Sequence, residues 1–147
     1  MADIKRTASA AWSGDLRNGK GSTSTGGGGL RDLNYSFHSR FENDPGTNPE
    51  ELIAAAHASC FSMALSKILG DQGKTPDRIS TKATLTMAKT ETGFKITRVH
   101  LETEGRVPGI DESGFKQAAE KAKDGCPISA LLKPGLEAVT LDAKLAR

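Results

Sequence analysis

Between residues 7 and 25 polar and apolar positions alternate, with Ala8, Ala10 and Trp12 sharing one side and Ser13-Gly14-Asp15 interrupting the run. This pattern predicts a hairpin of two polar strands. The following Ser22-Thr23-Ser24-Thr25-Gly26-Gly27-Gly28-Gly29 reads as a flexible loop, since hydroxyl residues favour turns and glycine has the most backbone entropy to lose. From Asn34 to Phe41 one parity holds Tyr35, Phe37 and Phe41 and the other Ser36, His38 and Arg40, which predicts a third strand with Arg40 turned away from the phenylalanines. Asp44-Pro45-Gly46-Thr47 is a turn. Asn48-Pro49-Glu50-Glu51 then announces a helix, with Asn48 as N-cap, Pro49 at the first helical position and Glu51 placed to complete a capping box. The helix should run to Leu69, with Gly70 as its terminator.

Residues 79 to 89 place Ala83, Leu85 and Met87 on one face of a strand, and Glu91-Thr92-Gly93 turns the chain into a second strand, Phe94 to Glu104. In that strand Phe94 and Ile96 have one parity and Val99 and Leu101 the other, which implies a bulge or twist between them. Asp111 caps a helix ending near Asp124 and Gly125, Cys126-Pro127 opens one more helical turn, and Val139, Leu141, Ala143 and Leu145 mark a last strand. Strands grouped in this order indicate an α+β fold rather than a parallel α/β sheet.

The 147 residues suit one domain, 1–147, and a net charge of +2 with 26% charged residues fits a soluble globular chain. Charges of both signs are interleaved, so nothing marks a nucleic-acid or membrane-surface partner. The four glycines lack the GxxxxGK[ST] spacing of a phosphate loop, Lys20 standing ahead of them. No apolar stretch approaches the roughly 18 to 20 residues of a membrane span, and Met1 to Ala10 has no signal-peptide core, which makes the cytoplasm the expected location. There Cys60 and Cys126 stay thiols. Two cysteines are too few for a thiolate zinc site, and His38, His57 and His100 show no paired ligand spacing, so no metal is expected.

Cys60 lies mid-helix in Ala58-Ser59-Cys60-Phe61-Ser62-Met63, where a small buried hydrophobe would also fit. Cys126 stands at a helix start, where free N–H groups favour a thiolate. His57 is three residues ahead of Cys60 on the same helical face, a spacing that admits a cysteine hydrolase or acyltransferase, although no oxyanion hole or orienting residue stands out. A chain that merely holds a small apolar ligand, with Cys60 structural, is a third reading.

Asn48-Pro49-Glu50-Glu51-Leu52 through Ala58-Ser59-Cys60-Phe61-Ser62-Met63-Ala64, Val107-Pro108-Gly109-Ile110-Asp111 and Ala122-Lys123-Asp124-Gly125-Cys126-Pro127-Ile128-Ser129 closely resemble the OsmC (osmotically inducible protein C) family, over nearly the whole chain. Trp12-Ser13-Gly14-Asp15, Gly19-Lys20-Gly21 and Phe37-His38-Ser39-Arg40-Phe41-Glu42 are similar to its OsmC branch more than to the organic-hydroperoxide-resistance (Ohr) branch. The resemblance implies antiparallel sheets wrapped around a long central helix in an intertwined homodimer. It also implies a thiol-dependent peroxidase of oxidative and osmotic stress defence, without metal, flavin or haem cofactor. Carried over by position, Cys60 is the peroxidatic cysteine, Cys126 the resolving cysteine that closes a Cys60–Cys126 disulfide, Arg40 the activating arginine and Glu50 its carboxylate partner. Alkyl hydroperoxide would be the substrate and a dithiol, dihydrolipoyl groups foremost, the reductant. The family thus gives the first attack to Cys60, whereas the helix start favoured Cys126; a buried thiol ionises if a guanidinium is fixed beside it.

These roles carry a geometric demand. Ten residues on a continuous helix span about 15 Å, which one arginine cannot bridge comfortably from Glu50 to Cys60. Two copies of the helix crossing antiparallel at Ala55, among the small residues Ala54-Ala55-Ala56, would bring Glu50 of one chain to Cys60 of the other. A break in the helix would instead keep the site within one chain.

Overall fold

The hairpin expected at the start of the chain forms: β1 (Ala8–Ser13) pairs antiparallel with β2 (Lys20–Thr25), from Ala8 opposite Thr25 to Ser13 opposite Lys20. A computed structural model describes residues 2–146, in two units that divide between Leu52 and Ile53. In the first unit, the turn after β1 is longer than Ser13-Gly14-Asp15; the Asp15 carboxylate organises it by accepting from the N–H groups of Arg17 (3.0 Å) and Asn18 (2.9 Å). Ser22 to Thr25 are strand rather than loop, so the irregular stretch begins only at the glycines. There the Gly28 N–H donates to the Thr25 carbonyl (3.0 Å) and the Leu30 N–H to Thr25 Oγ1 (3.1 Å). Gly21 lies beneath the paired rings of Trp12 and Tyr35, and an added Cβ would sit 2.4 Å from Tyr35 Cζ.

The third strand is shorter than its alternation suggests. β3 covers only Leu33–Tyr35 and pairs with β2, and Phe37–Phe41 form a helix, α1. Ser36 and Ser39 decide this by a reciprocal capping box: Ser36 Oγ accepts from the Ser39 N–H (3.1 Å) and Ser39 Oγ from the Ser36 N–H (2.9 Å). A spacing of four between Phe37 and Phe41 satisfies a strand face and a helix face alike, and here it is the helical contact that forms, with ring centroids 4.9 Å apart.

The long helix α2 (Pro49–Asp71) runs without a break. Asn48 Oδ1 accepts from the Glu51 N–H at 2.8 Å, as an N-cap should, but among the described residues the exposed Glu51 carboxylate makes no return bond. The terminator is Gly73, not Gly70: Gly73 takes φ 72°, its N–H donates to the Gly70 carbonyl (2.9 Å), and the Lys74 N–H donates to Leu69 (2.9 Å). That is a Schellman closure, which requires the left-handed residue three positions later than the first available glycine.

In the second unit β4 (Arg78–Thr90) and β5 (Gly93–Arg106) form an antiparallel hairpin, and the expected bulge is at Thr97, where the register passes from Thr86–Arg98 to Met87–Ile96. α3 (Glu112–Gly125) starts on Asp111, whose carboxylate accepts from the Gly114 N–H at 2.7 Å, and α4 (Pro127–Leu132) follows directly. β6 (Ala138–Leu145) lies parallel to β5, from Arg98 opposite Ala138 to Gly105 opposite Leu145. This sheet is therefore mixed, correcting the all-antiparallel expectation; a parallel return needs a crossover, and α3 and α4 supply it. The core joins Phe61, Leu65 and Leu69 of α2 to Val99 and Leu101 of β5 and to Phe115, Ala118, Ala119 and Ala122 of α3, each at most 1% exposed. Full burial of each of the larger of these side chains contributes about 1.5–3 kcal/mol.

α2 also corrects the reading that no stretch is apolar enough to span a bilayer. Its 23 residues include an 18-residue window of mean hydropathy 1.5, sufficient by length and composition. Serines at 59, 62 and 66 interrupt the apolar runs and hide this on inspection. Phe61, Leu65 and Leu69 turn one face into the unit's core, yet only 22% of the window is buried, and Ala55, Ala56, Ser59 and Met63 lie on an exposed face.

Candidate functional site

Two pairs of the sequence-predicted residues meet, one in each unit. In the first unit Arg40, on α1, forks onto Glu50, in the first turn of α2. Nε donates to Oε1 at 3.0 Å and to Oε2 at 3.3 Å, and Nη2 donates to Oε1 at 2.8 Å. Local bonds fix both ends. Asn48 Nδ2 donates to the Ser39 carbonyl (3.1 Å) and Ser39 Oγ to the Thr47 carbonyl (2.8 Å), so the loop between α1 and α2 is closed from inside. Glu50 is buried at 9% exposure, whereas the Arg40 side chain remains 37% exposed, with its guanidinium carbon 5.1 Å from the Phe41 ring centroid. Arg40 therefore does not face away from the phenylalanines as a strand would have required. A cation clamped in one orientation by a buried carboxylate, with Nη1 unengaged among the described residues, is a donor ready for an anionic group.

In the second unit Cys60 and Cys126 are free thiols with sulfurs 2.9 Å apart, one S–H directed at the other sulfur. Cys60 is half-buried on α2 and Cys126 is fully buried. The junction of α3 and α4 sets Cys126: at φ −62° and ψ 130° its N–H closes α3 on Ala122 (2.9 Å), while its carbonyl accepts from the Ala130 N–H (3.0 Å) to open α4. Pro127 at the first helical position makes that sharp restart possible. Burial pushes the Cys60 thiol up from its ordinary pKa, the hydrogen bond and charge of Cys126 add to the rise, and only the Ile128 N–H pulls it down. Among the described residues of its unit, no cation lowers the Cys60 pKa. An apolar groove of about 750 Å³ opens beside the sulfur, walled by Ala56, Met63, Ile68, Pro127 and Ile128 with Lys67 at its margin.

His57 does not engage Cys60. Its imidazole is 0% exposed, Nε2 lies 2.7 Å from Ser129 Oγ, and Nδ1 has no hydrogen-bond partner among the described residues. Burial lowers its pKa, so it is the neutral imidazole that occupies the core. Without an imidazole–thiol hydrogen bond, the hydrolase or acyltransferase reading loses its base. Sequence reasoning gave Ser129 no role. The signal was present as a matched spacing, His57 three residues before Cys60 and Ser129 three residues after Cys126.

A family model described as OsmC-like protein matches residues 41–140. The chain is 50% identical to peroxiredoxin OsmC of Escherichia coli over 142 residues, 97% of either chain. It is 33% identical to an organic hydroperoxide resistance protein of Xanthomonas axonopodis pv. citri, over 65% of this chain and 66% of that one. Among solved structures, the organic hydroperoxide resistance protein OhrB of Bacillus subtilis superposes with a TM-score of 0.71 at 26% identity, covering 93% of this chain and 97% of that one.

Proposed function

The chain belongs to the OsmC family, and from that premise we propose the reaction it catalyses: thiol-dependent reduction of hydroperoxides in peroxide stress defence. The observation that carries this reading is the pair of free thiols 2.9 Å apart at an apolar groove. In the proposed cycle the Cys60 thiolate attacks one oxygen of the O–O bond, the alkoxide leaves and is protonated to the alcohol, and Cys60 becomes a sulfenic acid. The Cys126 sulfur then attacks the Cys60 sulfur; the S–S bond forms and the sulfenic hydroxyl departs as water with the Cys126 proton. A dithiol, for which we propose a dihydrolipoyl group, returns both cysteines to thiols by two exchanges. The groove accommodates the organic part of an alkyl hydroperoxide.

Arg40 is assigned two tasks: to favour the Cys60 thiolate against the burial that raises its pKa, and to donate to the charge growing on the leaving oxygen. Glu50 holds the fork still, and lysine should not replace Arg40. We further propose a homodimer in which each Arg40–Glu50 pair serves the other chain's Cys60. This is supported by the unbroken α2, the exposed small-residue face around Ala55, and a three-stranded sheet whose β1 is exposed along its whole length, with Ile4 71% exposed just ahead of it. A sheet so thinly covered needs packing from elsewhere to be stable. The whole of 1–147 is read as one functional domain, acting in the cytoplasm, where the thiols stay reduced.

One titration tests the core of this reading. A stoichiometric dose of tert-butyl hydroperoxide should consume both thiols of the reduced protein and produce the alcohol; a protein that only holds an apolar ligand would keep both. The adjacent glutamates supply a second expected result. Glu51 contributes its backbone N–H to the cap, so Glu51→Gln should change stability by less than about 1 kcal/mol and leave turnover intact. Glu50→Gln removes the charge that clamps Arg40 and should lower kcat/KM about tenfold or more, equivalent to at least about 1.4 kcal/mol. Equal kinetic damage from both would show that the helix start as a whole matters, not the Arg40 partner.

A further inference from the structure

We infer that the hydrogen bond between His57 and Ser129 is the tie that keeps Cys126 within reach of Cys60, making His57 a positioning residue of the disulfide-forming step; the inference rests on the peroxidase reading above. α4 has six residues, too few to be stable as an isolated helix, and its N-cap Cys126 makes no side-chain capping bond. Something else must fix the orientation of its first turn. The His57 Nε2 to Ser129 Oγ contact, 2.7 Å between two side chains at most 2% exposed, joins α4 directly to α2. His57 precedes Cys60 by one helical turn and Ser129 follows Cys126 by one, so tie and thiol pair are neighbouring rungs between the same two helices.

The unpartnered Nδ1 strengthens the case. An imidazole in the core leaves one ring nitrogen unsatisfied, a cost that leucine or phenylalanine at 57 would avoid. What the imidazole supplies in return is the Nε2 contact, which bridges two helices.

Position matters here because the Cys60 sulfenic acid faces two competing reactions. Attack by Cys126 gives the disulfide and water, while a second hydroperoxide gives the sulfinic acid and an alcohol. The first depends on the distance and direction of Cys126; the second does not. A displacement of about 1 Å can slow an intramolecular step on the order of a hundredfold. Loosening the tie should therefore shift the partition towards the sulfinic acid without slowing the initial attack on peroxide.

The test uses the full chain with His57→Phe, Ser129→Ala and His57→Gln, the last placing an amide nitrogen near the position of Nε2. Each reduced, folded protein is mixed with graded tert-butyl hydroperoxide without dithiol. Stopped-flow fluorescence follows the first oxidation, and intact mass spectrometry measures disulfide against sulfinic acid. His57→Phe and Ser129→Ala should each raise the ratio of sulfinic acid to disulfide about tenfold or more, with the first oxidation no slower than about half the parental rate. His57→Gln should return the ratio towards the parent value. An unchanged ratio in folded Ser129→Ala, or a first oxidation slowed as much as disulfide closure, overturns the inference; Ser129→Ala decides alone if His57→Phe does not fold. Should the parent itself form no disulfide with peroxide, the peroxidase reading fails and the tie with it, a result distinct from a parental disulfide that is insensitive to these variants.

Discussion

Cys60→Ser protein should show no peroxide reduction above the uncatalysed reaction of the dithiol, whereas Cys126→Ser protein should react once with peroxide and then stall. The two phenotypes should separate because, in the proposed cycle, the cysteines enter at different stages. Without Cys60 no thiol among the described residues lines the groove to attack the O–O bond. Without Cys126 that attack still proceeds, but the sulfenic acid must wait for an external thiol, and steady-state turnover should fall about a hundredfold or more through loss of the intramolecular partner. Intact mass spectrometry should find one oxygen added to Cys126→Ser, then a second as peroxide is increased. Since Cys126 is fully buried, serine there leaves a hydroxyl in the core, costing about 1–3 kcal/mol. Cys126→Ala, which buries no polar atom, should show the same stall. If either Cys126 variant turned over like the parent with dithiol present, Cys126 would not be the resolving residue.

Mixing an impaired protein with an inactive one should restore activity if sites are shared between chains. Glu50→Ala lacks the clamp for Arg40, and Cys60→Ser lacks the nucleophile. In a mixed dimer with shared sites, the Cys60 of the first chain meets the intact Arg40–Glu50 pair of the second, and both lesions fall together in the other site. Random exchange makes half of the dimers mixed, each with one working site, so activity should climb to about a quarter of the parental level. A site contained in one chain predicts no recovery at all, because every site would then hold one lesion. Exchange is verified independently by mass spectrometry of an affinity-tagged partner. Recovery would also explain why Cys60, whose own unit raises its pKa, can nonetheless act as a thiolate.

Much of this architecture is written in local chemistry and much is not. Asn48-Pro49, Asp111 and Cys126-Pro127 are helix starts by composition alone, and each is a start here. The parity change between Ile96 and Val99 marked the bulge that Thr97 makes. Residues 36–41 were misleading because Phe37 and Phe41 fit both periods, and the deciding bonds were between two serines that side-chain hydropathy treats alike. Gly70 failed as a stop because a Schellman closure depends on where the last carbonyls find donors, not on the first glycine available. The direction of β6 could not be read from its own alternation, which is the same for parallel and antiparallel pairing. At the site, residue type and position marked only the two cysteines, while Arg40 and Glu50 came with the resemblance to the OsmC family. Neither disclosed that His57 reaches across to Ser129 instead of down its own helix, since contact across 72 residues is set by the sheet and its crossover.

The parallel seating of β6 has a consequence for biosynthesis. Cys126 lies in the crossover from β5 to β6, and that crossover is held at both ends only when Ala138–Leu145, which follow it in the chain, have paired with Arg98–Gly105. As the polypeptide emerges from the ribosome, Cys60 appears first, then the β4–β5 hairpin, then Cys126, and last the strand that closes the crossover. Translation order thus places both cysteines ahead of the strand that completes the sheet.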